Sequence, residues 1–220
     1  MGAAEGAASQ PQGAAQDVGA AVSPPEAPGN LVPVPPKPKQ VANFCRQCGG
    51  RMALVVGCLV EHEGRVLLCR RGIEPQQGLW TIPAGFMEEK ESSAEGAARE
   101  TWEEARAKVD ILGPFCHFDI PSISQAYILF RARLAAPYTF AAQLPESLDA
   151  RLFAPHEIPF SELAFSSVAF ALRHYLEDLE SGSCTIHHGV IVKQPGSGPN
   201  TPGSFDLTDH FAIPTSLACK

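Results

Sequence analysis

The segment Gly85–Glu104, GFMEEKESSAEGAARETWEE, restricts what this 220-residue chain can fold into more than any other stretch. Its spacing is G-x5-E-x7-R-E-x2-E-E. Ser92 followed by Glu95 is a capping box, so a helix starts there and its pattern runs to Lys108. On that helix Glu100, Glu103 and Glu104 stand three and four positions apart and share a face. Ala94, Ala97 and Ala98 supply small surfaces that let the helix pack closely on a sheet. Crowded carboxylates disfavour joint ionisation unless a cation neutralises them. An oxygen-only cluster suits Mg²⁺, or Mn²⁺, ions that keep some waters and also take substrate phosphates. Gly85 places bare backbone at the bend into this segment, where a carbonyl can approach a metal. Exposed charged helices are common, but six fixed positions match by chance on the order of once per ten million start points, which favours function.

The rest of the chain supplies a sheet for that helix. Met52–Val60 (MALVVGCLV) is a nearly continuous apolar run, as in a strand buried on both faces. Glu61-His62-Glu63-Gly64 is a turn, and Arg65–Cys69 returns. Gly78–Pro83 leads into the acidic segment as a short strand or loop. Val109–Leu112, Cys116–Ile120, Gln125–Leu134 and Arg151–Ala154 read as further strands. Leu163, Phe165, Val168, Leu172 and Leu176 recur at helical spacing within Ser161–Leu179, which stops before Gly182. Residues 183–220, rich in Gly, Pro and Ser, are expected to wrap the surface or fray as a C-terminal extension, with His187 and His188 on the surface. The class is α+β, a mixed sheet with two helices.

Residues 1–40 are rich in Ala, Gly and Pro and carry too little apolar surface to offset ordering entropy; they are expected to be a disordered tail. The tail has no Arg and carries Glu5, Asp17 and Glu26, against the pattern of a transit peptide. The net charge of -7 and the lack of a Lys/Arg block exclude a general nucleic-acid binder. No apolar run is long enough to span a membrane. Seven cysteines show no regular framework, and Cys58, Cys69 and Cys116 sit in apolar runs, so buried free thiols are expected. Residues 41–51 hold Cys45 and Cys48, a truncated knuckle. Structural zinc needs four ligands, normally from two such knuckles, so no zinc site is expected there.

At Gly85, Glu91, Arg99, Glu100, Glu103 and Glu104 the chain resembles the Nudix hydrolases, whose box is G-x5-E-x7-R-E-U-x-E-E-x-G-U, with U a bulky apolar residue. The resemblance implies an α/β/α sandwich over residues 52–182 and hydrolysis of nucleoside diphosphates linked to another moiety. It implies Glu100 and Glu104 as direct metal ligands, Glu103 in the same cluster, and a carbonyl from Gly85 or Ala84. Glu91 and Arg99 would pair to lock loop to helix. One departure is Arg106, which occupies the last box glycine, a helix-ending position of positive φ that costs a non-Gly residue about 1 kcal/mol. Thr101 is also a weak U residue.

Beyond the box, residues 54–205 are similar to the chloroplast-type FAD pyrophosphohydrolases of plants and algae. The implied reaction is FAD + H₂O → FMN + AMP, with ADP-ribose or another dinucleotide as the alternative substrate. A catalytically silent nucleotide-binding module is the non-enzymatic alternative, and the retention of all four box glutamates argues against it. The catalytic assignment is Glu103 and Glu104, with Glu146 of the PESLD stretch as the distal base and Asp149 behind it. Arg70 and Arg71 are candidates for the diphosphate oxygens; Trp80, Phe86 and Tyr127 for stacking on a ring; Gln125 for a base edge. Relatives of this kind are often homodimers in plastids. The resemblance therefore points to the chloroplast, while the missing transit signal leaves the cytoplasm as the alternative.

Overall fold

The computed structural model describes residues 43–44, 51–196 and 204–215. Ten strands form one mixed sheet: β1 (Asn43–Phe44), β2 (Arg51–His62), β3 (Arg65–Arg71), β4 (Trp80–Thr81), β5 (Ala84–Phe86), β6 (Val109–Ile120), β7 (Gln125–Leu134), β8 (Ser147–Phe153), β9 (Thr185–Lys193) and β10 (Phe205–Pro214). The main order is β10-β9-β6-β7-β2-β3-β4, with β1 and β5 also on β2, and β8 on β3. The β2–β7 and β6–β9 pairs are parallel and the rest antiparallel. Two α-helices, α1 (Ser93–Ala105) and α2 (Ser166–Ser181), cover opposite faces, giving an α/β/α sandwich.

Strand β2 shows why its sequence is apolar throughout. Val56, Cys58 and Val60 face one side with Ala97 and Ala105 of α1. Leu59 faces the other with Val168, Ala171, Leu172 and Tyr175 of α2. Both faces are covered, so consecutive rather than alternating positions are apolar. Each such large side chain, fully buried, contributes about 1.5–3 kcal/mol. Helix α1 approaches β2 closely because Gly96 has no Cβ; one there would stand 3.0 Å from Val56 Cγ2 and 2.7 Å from Glu91 Oε1.

β2 also changes partner along its length. Val55–Gly57 pair with β5, and Glu61 and His62 pair with β3. This switch sets Gly85 directly across from Val56 and brings the loop after β5 under the start of α1. A buried ionic group ties the other face: Arg131 of β7 donates to Glu61 of β2 (2.9 Å) and to Asp178 of α2 (3.2 Å).

The structure corrects several expectations. β6 is one strand through Gly113-Pro114, because register shifts on either side absorb the interruption. β8 starts at Ser147 rather than Arg151. Helix α2 begins at Ser166, and Phe160–Glu162 is a short 3₁₀ turn. Residues 185–193 and 205–214 neither wrap nor fray: they form a hairpin whose first strand extends the sheet beside β6. Ile191 and His187 of β9 are buried, and this burial holds the hairpin in place. Cys58, Cys69 and Cys116 are buried free thiols, and desolvation raises all three above the usual thiol range. Cys184, by contrast, is disulfide-bonded. Among the described residues, no helix is long and apolar enough to cross a membrane. The expected tail, 1–40, and the Cys45–Cys48 knuckle lie outside the described residues.

Arg106 ends α1 in the left-handed region (φ 49°, ψ 24°), with its N–H on the Trp102 carbonyl. Its guanidinium Nε donates to Gln143 Oε1 at 2.7 Å and lies over the Trp102 ring. The helix therefore exits as a glycine would make it exit, at a cost of about 1 kcal/mol that the Gln143 bond offsets. Arg106→Gly is expected to change stability by less than about 1 kcal/mol and to leave catalytic rate unchanged, measured by thermal melting and turnover. A raised rate would show that Arg106 disturbs the site.

Candidate active site

Helix α1 begins with the Ser92–Glu95 capping box: the Glu95 N–H donates to Ser92 Oγ, and the Ser92 N–H donates to the Glu95 carboxylate. This fixes the helix phase, and so decides where residues 99–104 point. Arg99 is the hub. Its Nε and Nη2 donate to the two oxygens of Glu91 (3.0 and 2.7 Å). Its Nη1 donates to Glu100 (2.6 Å) and Glu103 (3.2 Å), and Nη2 also reaches the Phe86 carbonyl (3.1 Å). Glu91 in turn accepts from the Glu88 N–H, so loop, strand end and helix are bound through one guanidinium.

Glu100 and Glu104 are buried, and Glu103 is half-buried. Glu104 accepts from the Ala84 N–H at 3.2 Å. Glu100 lies against Gly85, where a Cβ would overlap its carboxylate. Gly85 is therefore needed for the space its missing side chain leaves. Desolvation raises the Glu100 carboxyl to about 7, although Arg99 opposes it. Desolvation, then the neighbouring charge of Glu100, raise Glu104 to about 8.

The other candidates separate into two groups. Arg71 and Glu146 act on Glu104 through space, Arg71 lowering and Glu146 raising its proton affinity. Glu146 acts on Glu100 as well and is exposed. Arg71 is half-buried, held by the Pro75 carbonyl at 2.8 Å and lying over Phe165. Tyr127 is buried, and its hydroxyl is raised by desolvation and then by the Glu104 charge, which places it beneath the acidic cluster. The remaining candidates are not gathered there. Arg70 is exposed and holds the Gly78 carbonyl (2.7 Å). Asp149 pairs with Arg151. Gln125 stands at the start of β7, paired in register with Ala53. Trp80 is a core residue edge-on to Phe153, so no ring can stack on it; Phe86 is 59% exposed, but it is its carbonyl and not its ring that meets Arg99.

The donor set fits a hard divalent cation. It is oxygen-only, and its two buried carboxylates hold protons up to about 7 and 8, so an Mg²⁺ ion would displace protons that burial now retains. Glu100 and Glu103 turn to Arg99 while Glu104 turns to Ala84, so their oxygens are splayed and a bound ion would draw them together.

Residues 51–175 match the family model for the NUDIX domain. The chain belongs to the NUDIX family. A crystal structure of a NUDIX hydrolase from Nitrosomonas europaea is 39% identical, with 67% of this chain and 97% of that one covered and a TM-score of 0.61. A MutT-like protein of Streptomyces ambofaciens is 39% identical over 57 residues, 26% of this chain and 35% of that protein. The phosphatase NudJ of Escherichia coli K12 is 43% identical over 51 residues, 23% of this chain and 33% of that protein. The NUDIX chain thus spans about a third of the length of the curated relatives it matches.

Sequence reasoning could not tell that, of the three rings considered for stacking, Phe86 is exposed while Trp80 and Tyr127 are buried, because exposure beside a loop has no local signal. It also placed His187 on the surface, whereas His187 is buried beside His174 and His210.

The raised carboxylates give a pH signature. Between about 4.5 and 8 the metal-free folded state holds protons that the unfolded state has released. Stability must then fall as pH rises through that window. In chelator, the melting temperature is expected to drop from pH 5 to pH 8 by more in the wild type than in Glu104→Gln, with saturating Mg²⁺ abolishing the difference. A wild-type profile as flat as the variant's would show that these carboxylates are not coupled to folding.

Proposed function

We propose that the chain is a Mg²⁺-dependent pyrophosphohydrolase that converts FAD to FMN and AMP. The observation that carries the hydrolytic reading is the pair of buried carboxylates, Glu100 and Glu104, held at Gly85 and Ala84 by the Arg99 hub. Burial of two like charges together costs several kcal/mol unless a cation or proton compensates, so such a pair is a device rather than a by-product of packing. The similarity of residues 54–205 to FAD pyrophosphohydrolases supports the flavin dinucleotide.

Glu100, Glu103 and Glu104, with the Gly85 carbonyl, would hold the metal. When bound, Mg²⁺ neutralises the pyrophosphate and makes water a better nucleophile. Arg99 positions Glu100 and Glu103 through its hydrogen bonds to both. Arg71, near Glu104, orients a phosphate oxygen. Glu146, exposed and electrostatically coupled to both buried carboxylates, takes the proton from the attacking water.

Purified protein with Mg²⁺ is to be incubated separately with FAD, ADP-ribose, NADH and CoA, and the products resolved by chromatography. FMN plus AMP, formed fastest from FAD, is expected. Cleavage of ADP-ribose alone would remove the flavin and keep the chemistry; cleavage of none would leave a binding module. Glu104→Gln is expected to lower turnover at least about a hundredfold with the fold intact by circular dichroism. Glu146→Gln is expected to lower kcat about a hundredfold with little change in KM. An unchanged kcat would assign the base to another carboxylate.

A further inference from the structure

Three histidines far apart in sequence meet on the α2 side of the sheet. His174 comes from α2, His187 from β9 and His210 from β10. One nitrogen of each ring lies within 4.8 Å of one from each of the others. His187 Nδ1 and His210 Nε2 are 3.1 Å apart in rings tilted by only 8°, so their lone-pair directions share one proton between them. His174 lies flat over this pair, 4.1 Å from one ring centre and 4.6 Å from the other.

Packing alone leaves this arrangement unbalanced. His174 Nε2 and His187 Nε2 are buried with no hydrogen-bond partner, and each unpaired buried nitrogen destabilises the fold. Meanwhile carboxylates stand close to two of the rings. His174 Nδ1 is 2.9 Å from Glu177 Oε2, and His187 Nε2 is 4.0 Å from Asp178 Oδ1. A carboxylate behind an imidazole fixes its tautomer and raises its basicity toward a metal. Glu177 thus takes the His174 Nδ1–H and leaves the Nε2 lone pair, buried and unused, for a ligand.

We propose that His174, His187 and His210 form a binding site for a borderline transition-metal cation, Zn²⁺ foremost, separate from the box carboxylates. Imidazole nitrogens suit this class of ion, whereas Mg²⁺ takes oxygen. Bonds of about 2.0–2.1 Å in a tetrahedral site put ligand nitrogens about 3.3 Å apart, close to the present His187–His210 separation. The ion takes the place of the proton those two rings share. His174 tips about its χ2 torsion, which is broad for histidine, to aim Nε2 at the same point. His210 is exposed, giving the ion an entry path and room for water as fourth ligand. The site ties the β9–β10 hairpin to α2, so its effect is structural. It shares no residue with the Cys45–Cys48 knuckle, or with His117, Asp119 and His188, which surround a second meeting point through His–Asp contacts of 3.3 and 3.4 Å.

The test uses the tag-free full chain, stripped with chelator, in Zn²⁺ titration by calorimetry and in thermal melting with and without Zn²⁺. Wild type is compared with His210→Ala, His188→Ala and Glu104→Gln. His210 is exposed, so its removal leaves the core intact; the Cys45–Cys48 pair is present in every variant and cancels. Expected is a Zn²⁺ site that raises the melting temperature, weakened at least about tenfold in His210→Ala and unchanged in the other two. Binding unaltered in His210→Ala, lost instead in His188→Ala, or absent from wild type would overturn the proposal.

Discussion

One guanidinium holds the catalytic half of this molecule together. Arg99 donates to Glu91, Glu100, Glu103 and the Phe86 carbonyl, and so binds the loop after β5, the strand end and the acidic face of α1. Its fork is planar and always charged, so it fixes geometry as well as charge. Lysine would supply a point charge without the bidentate grip on Glu91, and the loop would lose its register against the helix. The proposed chemistry depends on this, because the box carboxylates meet Ala84 and Gly85 only while β5 stays under α1. Gly96 permits that approach from below, and the capping box sets the rotation from the end.

The site was legible where its causes are local. The capping box, the spacing of three and four, and the alanine face each act within two turns of helix, so the start and phase of α1 could be read directly; its end could not, because the pattern runs on to Lys108 whereas Arg106 turns the chain out of the helix after Ala105. The two-sided burial of β2 could be read for a similar reason: an unbroken apolar run that ends in a turn has no polar face to offer water, so it must be covered on both sides. β5 has three residues and no pattern of its own; it exists because β2 offers it a free edge. β9 and β10 were hidden differently. Their polar and apolar residues are mixed, and the surrounding Gly, Pro and Ser suggest irregular chain, yet the open edge of β6 accepts them. Trp80 illustrates the limit at the level of a side chain. Sequence marks it as aromatic near the box but cannot say that Phe153 and Leu163 enclose it.

The two faces of the sheet handle buried polarity in different ways. On the α1 face, like charges are gathered and left short of cations, with Arg99 the principal compensation. On the α2 face, Arg131 is matched by Glu61 and Asp178, and the nearby imidazoles lie stacked; burial lowers His187 to about 4. The first arrangement stores unfavourable electrostatics that a bound cation would relieve. The second uses its charges to fix α2 and the C-terminal hairpin.

The hairpin has a consequence for how the molecule is made. The NUDIX match ends at residue 175, and β9 begins at Thr185. A ribosome therefore completes the family segment while the outer edge of β6 has no partner, and an unpaired strand edge recruits other chains. Domains fold during synthesis at about 5–20 residues per second, so that edge stays open for seconds before Thr185–Lys193 emerges to close it. In this chain the strands translated after the family segment protect the sheet from its neighbours in the polysome.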